Sequence, residues 1–203
     1  MDLQTRYFFY DLFFSMIARE PSDEIIDAWR KGLKVLSHSQ SDGSLAKIAG
    51  SLLGLLNKAD ANAKVRDEFN ELFWAPVGDT ICLEGSMYVD GKTQGRYLVR
   101  IRGFLEKTPF VKEDDYKAPE DTLAFHLDLM RCLIKEEESI DCLKAKKQWR
   151  TLQKELVTDF MALWVKKPID ELKKRQDKPF YSQAANLMDI YIDAEQDFLI
   201  EKG

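Results

Sequence analysis

Glu68-Phe69-Asn70-Glu71-Leu72-Phe73 runs directly into Trp74-Ala75-Pro76-Val77-Gly78, and that junction decides what kind of chain this is. Phe69, Leu72 and Phe73 lie three and four residues apart, so they share one face of a helix. The Trp74 to Gly78 stretch breaks that helix, since proline offers no N–H and glycine leaves the helical conformation at little cost. After a few residues Glu84-Gly85-Ser86-Met87-Tyr88-Val89-Asp90-Gly91 closes on a tight Asp-Gly turn. Ala118-Pro119-Glu120-Asp121-Thr122 then opens an amphipathic helix through Leu123, Leu127 and Met130. A loop rich in aromatic, apolar and acidic side chains, held between two helices that need burial, has the character of a docking surface rather than a catalytic pocket.

Outward from that centre, helical periodicity dominates. Upstream, Leu3, Tyr7, Phe8, Tyr10, Phe13, Phe14 and Ile17 cover most of a helix circumference, as expected of a helix packed on more than one side. Ser22 is placed to cap a second helix, whose first turn carries Asp23 and Glu24 at the positive end of the macrodipole and whose apolar stripe is Ile25, Trp29, Leu33 and Leu36. Ser37 to Ser44 reads as a loop. A third helix follows through Leu45, Ile48, Leu52 and Leu55 or Leu56, and a fourth runs from about 61 to 73. Downstream, Tyr97, Leu98, Ile101, Phe104 and Leu105 predict a helix over about 94–107, and the acidic stretch Thr108 to Lys117, with Glu113-Asp114-Asp115, predicts a loop. Pro119 suits the first position of the next helix, to about Glu137. Trp149, Leu152, Leu156, Phe160, Met161 and Trp164 form the inward side of a stretch from Ser139 to Val165, ended by Lys166-Lys167-Pro168. A short helix over about 168–176 and a final one from Phe180 to about Ile200 complete the pattern. Only Ser86 to Asp90 reads as a plausible strand, short and isolated. The expectation is all-α: a single-domain bundle of about nine helices over residues 1–203.

Composition narrows the function. Of the 203 residues 45% are hydrophobic and 32% charged, which suits one globular domain with a well-solvated exterior. A net charge of −5 argues against a nucleic-acid surface and suits a partner that carries positive charge. Cys82, Cys132 and Cys142 form an odd set without a Cys-x-x-Cys pair, which argues against a disulfide framework or a structural zinc site and for a reduced, cytoplasmic chain. The apolar run from Tyr7 to Ile17 contains Asp11, lacks a basic leader, and falls short of the roughly 20 residues a bilayer span needs. It predicts a buried first helix and no stable membrane insertion.

Catalytic chemistry finds little support. The two histidines are His38, in a polar loop, and His126, at the edge of its helix's apolar face, expected to be structural or exposed. Glu120/Asp121 and Glu136/Glu137/Glu138 lack the Glu-x-x-His partners of a di-metal bundle. Gly91-Lys92-Thr93 fails as a phosphate loop, because the required first glycine falls on Ser86. No serine or cysteine has a base at a recognisable spacing. The chain is expected to be no enzyme, with no catalytic residue, no metal and no cofactor.

The layout resembles the TorD/DmsD/NarJ-like family, cytoplasmic chaperones that mature molybdenum redox enzymes. The matches are Phe69-Asn70-Glu71-Leu72-Phe73, Pro76, Ser86-Met87-Tyr88 and Pro119-Glu120-Asp121, with Phe180-Tyr181 resembling the start of the family's last helix. Ala118 stands where the family usually has Glu, and Thr122 where it usually has His. The resemblance implies a TorD-like fold and non-covalent binding of the twin-arginine leader, or N-terminus, of an apo molybdoenzyme catalytic subunit, held until its cofactor is inserted. It admits molybdenum-cofactor biosynthesis proteins as further partners, and a monomer or a homodimer. The peptide site it implies comprises Phe69, Leu72, Phe73, Trp74, Pro76, Glu84, Ser86, Tyr88, Pro119, Glu120 and Asp121. In physical terms the aromatic side chains would accept the leader's apolar segment, while a rim of Glu68, Glu71, Asp79, Glu84, Glu120 and Asp121 would meet its arginines. Asp121→Ala or Glu71→Lys is then expected to weaken leader binding without changing helical content. The alternative is a non-catalytic α-helical adaptor that uses the same residues for a folded partner, and an isolated leader peptide separates the two because only the first binds it.

Overall fold

A computed structural model of the chain describes residues 1–39, 43–75, 78–113 and 116–202. The fold is all-α. Among the described residues there is no strand, and ten α-helices follow one another: α1 Leu3–Ile17, α2 Asp23–Ser37, α3 Gly43–Leu56, α4 Ala61–Phe69, α5 Gly85–Asp90, α6 Arg96–Leu105, α7 Leu123–Ser139, α8 Leu143–Glu155, α9 Lys166–Lys174 and α10 Pro179–Lys202. π-helical turns extend α4 over Asn70–Trp74 and α8 over Leu156–Phe160. A 3₁₀ turn, Met161–Leu163, follows the second of these. No helix among the described residues is long and apolar enough to cross a membrane.

The chain clusters into two compact units. One comprises Met1–Asp11, Cys82–Lys167 and Gln196–Gly203. Its core is built from Tyr97, Ile101 and Phe104 of α6, Leu127, Met130 and Ile134 of α7, and Phe160 and Trp164 beyond α8. Glu137 of α7 is buried there and sustained by two donors, Arg150 and Gln153 Nε2 at 2.9 Å, with the Arg6 guanidinium as a further counter-charge 3.9 Å away. A carboxylate taken out of water needs such partners. The other unit comprises Leu12–Ile81 and Pro168–Glu195. It buries Phe13 and Met16, Ile26, Trp29 and Leu33 of α2, Leu52 and Leu56 of α3, Phe69 and Leu72, and Phe180, Tyr181 and Tyr191 of α10. Trp29 stacks on Phe180 at 5.5 Å, and its indole donates to Ser15 Oγ at 2.8 Å.

Ser22 caps α2 as its position predicts, accepting from Ile25 N, although Ile26 takes the buried place expected of Ile25. Three expectations change. Ser86 to Asp90 is helix α5, not a strand. Gly91, at φ 72°, ends it in the left-handed conformation that favours glycine, and the Asp121 carboxylate accepts from Ser86 N at its start. Pro119 does not begin α7. Thr122 adopts an extended conformation and accepts from Phe125 N, so the helix starts at Leu123. Pro168 does not stop a helix either: it lies in the first turn of α9, where its missing N–H has no intrahelical partner to lose.

Candidate functional site

In the unit that contains Cys82–Lys167, two backbone segments are clipped together. Gly85 N donates to Asp121 O, and Leu123 N to Leu83 O, both at 2.8 Å, on either side of an antiparallel bridge between Glu84 and Thr122. This sets Glu84, Ser86 and Asp121 side by side. Ser86 and Asp121 are fully buried, and Asp121 Oδ2 is engaged by Ser86 N at 2.9 Å. Three polar atoms of this cluster are sealed from solvent with no hydrogen-bond partner: Glu84 Oε2, Ser86 Oγ and Asp121 Oδ1. Neither Glu84 nor Asp121 forms an ion pair among the described residues. Burial pushes the Glu84 carboxyl above its ordinary range, and the neighbouring negative Asp121 pushes it further. The cluster therefore sets a fully buried carboxylate beside a half-buried one, with acceptors that no protein donor fills, an arrangement that suits a donor or a cation on its open side.

The neighbouring side chains are committed. Arg102 grips Glu120 with two hydrogen bonds of 3.1 and 3.0 Å, and Lys112 lies 3.9 Å away. Burial alone would raise the Glu120 carboxyl, but the guanidinium outweighs it and holds the group below the ordinary range. Glu120 thus has its counter-ion within the fold. Tyr88 is half-buried, stacked on Trp164 at 6.0 Å, with its hydroxyl donating to Cys82 O. Pro119 is half-buried in the turn ahead of Thr122.

Under the cluster lies a buried hydrogen-bond chain that sequence reasoning missed. Trp164 Nε1 donates to the Tyr97 hydroxyl at 2.8 Å, the hydroxyl meets His126 Nε2 at 2.9 Å, and His126 Nδ1 lies 2.8 Å from Thr122 O. A carbonyl only accepts, so the imidazole proton sits on Nδ1 and Nε2 takes the Tyr97 proton. His126 is fully buried rather than at an edge, and burial pulls its pKa down to about 4. Gly85 touches this group: a Cβ there would strike the Tyr97 ring and come within 2.9 Å of Trp164. The Gly85-Ser86 pair of small residues was the available sign of such close approach.

The remaining predicted residues belong to the unit that contains Leu12–Ile81. Phe69 and Leu72 are fully buried, and Phe73 is half-buried against Tyr181 at 5.5 Å. Trp74, at the end of the π turn, is 70% exposed and 6.4 Å from Phe69. This chain of rings runs from the core to solvent and ends in one large, mostly exposed apolar side chain. Glu68 accepts from Phe180 N at 3.0 Å and Tyr181 N at 3.1 Å, so it caps α10 and does not join a rim. Glu71 pairs with Lys178. Pro76, like Asp114 and Asp115 of the acidic loop, lies outside the described residues.

Burial alters the expectation attached to Asp121. Its removal would strip α5 of its cap, so Asp121→Ala changes the fold as well as any binding, and Glu84 becomes the informative position.

Residues 39–170 match the family model described as nitrate reductase delta subunit. No curated protein matches the chain.

Proposed function

Because the chain belongs to the nitrate reductase delta subunit family, the NarJ/TorD-like chaperones of molybdoenzyme maturation, we propose that it binds the twin-arginine leader or N-terminus of a molybdoenzyme subunit. It holds that subunit in the cytoplasm until the cofactor is inserted, and it acts without catalysis as one chaperone domain. The family supplies the role and the class of partner, a molybdoenzyme subunit. What supports the peptide itself is the acidic pair. Asp121 is fully buried and Glu84 half-buried beside it, neither carries a counter-ion among the described residues, and Glu84 is the member of the pair that a bound segment reaches. A guanidinium presents several N–H groups in a planar fork and meets that deficit better than a lone ammonium would. Trp74 offers a contact for apolar residues of the same kind of segment, with Phe73 beside it. Phe69, Leu72, Ser86, Tyr88, Pro119 and Glu120 shape and hold these positions from behind.

Calorimetric titration of a synthetic twin-arginine leader tests this. Glu84→Gln keeps the shape of the side chain and removes its charge, so it is expected to weaken binding by about tenfold, the value of one charge-assisted hydrogen bond. Replacing the peptide's arginines with lysines is expected to weaken binding to the unaltered chain and to matter less in the variant. Equal affinity of both proteins for both peptides would remove Glu84 from the role. A leader that fails to bind at all, while the folded apo-subunit binds, would establish the adaptor instead.

A further inference from the structure

Tyr88 follows Glu84 by four residues, about one helical turn and about 6 Å along the axis of α5. The two differ in what they already hold. Glu84 has no cationic partner among the described residues, whereas Tyr88 carries one. Lys167 donates from Nζ to Tyr88 O at 2.9 Å, and its ammonium lies over the Tyr88 ring, 5.9 Å from the centroid. Trp164, three residues before Lys167, stacks on the same ring at 6.0 Å with the planes 16° apart. One short stretch of the unit that contains Cys82–Lys167 thus gives a single tyrosine both a stacking partner and a cation.

Little else holds that ammonium. Lys167 is exposed and forms no ion pair among the described residues. It stands in the first turn of α9, where the helix end disfavours positive charge and no acid offsets it. Its place is therefore set by Tyr88 rather than by its own helix. The carbonyl it reaches lies in the last turn of α5, where no intrahelical partner is left for it and water serves as well as an ammonium. An exposed cation over a tyrosine ring is worth only a few-fold in an equilibrium constant. Such a contact is weak enough to give way to another cation.

We infer that Lys167 is an autoinhibitory contact: in the free chain it stands in for the second of two neighbouring arginines of the bound segment, and it yields Tyr88 when that segment arrives. This displacement presupposes the leader binding proposed above, in which one arginine meets Glu84. Adjacent Cα atoms are 3.8 Å apart, and arginine side chains are long and flexible, so a consecutive pair spans acceptors about 6 Å apart without strain. A guanidinium also suits Tyr88 better than an ammonium does, because it stacks on an aromatic face and brings several donors to the carbonyl. Tyr88 then receives a cation as well as supporting Glu84 from behind. Lys167 in turn sets specificity: a segment with one arginine gains Glu84 alone, and only a pair gains the second contact by unseating the lysine.

The test is calorimetry with the synthetic twin-arginine leader and with a version in which one of its two arginines is glutamine. Lys167→Met keeps an unbranched side chain and removes the charge, and because Lys167 is exposed the variant keeps the fold. It should bind the intact leader about threefold to fivefold more tightly, the worth of the cation–ring contact no longer displaced. The single-arginine leader leaves Lys167 in place, so its affinity for the two proteins should agree within about twofold. Lys92→Met removes the same charge from the turn after α5, where Lys92 makes no side-chain contact among the described residues, and should leave both affinities within about twofold. An intact leader that binds the unaltered chain and Lys167→Met equally, or binds the variant more weakly, would make Lys167 a plain cap of α5 and overturn the inference while leaving the leader reading in place. An equal gain for both peptides, or an equal gain in Lys92→Met, would reduce the effect to general repulsion and overturn it too. Absence of leader binding to every protein would overturn both readings.

Discussion

His126 gives the fold a measurable dependence on pH. Its imidazole is fully buried, donates from Nδ1 to Thr122 O at 2.8 Å and accepts the Tyr97 hydroxyl at Nε2 over 2.9 Å. Both bonds are made by the neutral ring, and burial brings its pKa down to about 4, against the ordinary value of 6.5 in an unfolded chain. Between those two values the unfolded chain takes up a proton that the folded one refuses. Stability from this group is therefore fully present above about pH 6.5 and lost progressively as pH falls toward 4. Integrated from pH 7 to pH 5, with about 1.4 kcal/mol per pH unit where only the unfolded chain binds the proton, the loss is about 2 kcal/mol. Glu68 and Glu84, whose carboxyls burial raises, act with the opposite sign and favour the fold as pH falls. A comparison must cancel them. Urea unfolding at pH 7 and pH 5 should be measured on the unaltered chain and on His126→Gln, which cannot titrate. The variant is less stable at pH 7, because Gln does not reproduce both bonds, but its change with pH should lack the 2 kcal/mol term. Changes with pH that agree within about 0.5 kcal/mol would refute the assignment of a neutral buried histidine.

Gly85→Ala forces a methyl group into the rings of Tyr97 and Trp164, neither of which can swing away from a packed core, so it should destabilise by about 1–3 kcal/mol in the same urea assay. Glu68→Ala removes the acceptor for the first amides of α10 and should cost about 1–2 kcal/mol, the ordinary value of a lost N-cap. Trp74→Ala should leave stability within about 0.5 kcal/mol, since the side chain is 70% exposed, yet weaken leader binding by tenfold or more if the ring is an anchor. Calorimetry on that variant, beside its unfolding curve, checks both halves.

Elements governed by neighbouring residues were legible in the sequence. Ser22 caps α2 three residues before its donor partner Ile25, Gly91 closes α5 from the next position, and apolar spacing located the helices within a few residues. Elements governed by distant partners were not. Ser86 to Asp90 has β-compatible residues, and what makes it a helix is a carboxylate 35 positions away in sequence. Pro119-Glu120-Asp121 carries an ordinary signature for a helix start, proline followed by two acids. The structure uses the acids elsewhere: Asp121 at the beginning of α5 and Glu120 on Arg102. An acidic residue beside a helix end announces a cap without saying which helix it caps, and only packing decides.

The same limit applied to the acidic rim, and accounting for partners narrows it. Of the six carboxylates assigned there, Glu68 is spent on the amides of α10, Glu71 on Lys178 and Glu120 on Arg102. Asp79 is exposed, so water satisfies it. Asp121 gives one oxygen to Ser86 N and keeps one unused. Glu84 makes no ion pair, and its Oε2 is sealed from solvent without a donor. Glu84 is half-buried, so a bound segment reaches its carboxylate from the open side, and a cation there offsets the cost of the oxygen sealed behind it. The arginine of a bound segment would supply both the hydrogen bonds and the charge. Leader binding should therefore hold Glu84 ionised where the free chain leaves its pKa raised, and the affinity should fall as pH drops through that raised value. Glu84→Gln should flatten the profile, and identical profiles for the two proteins would place the cation elsewhere.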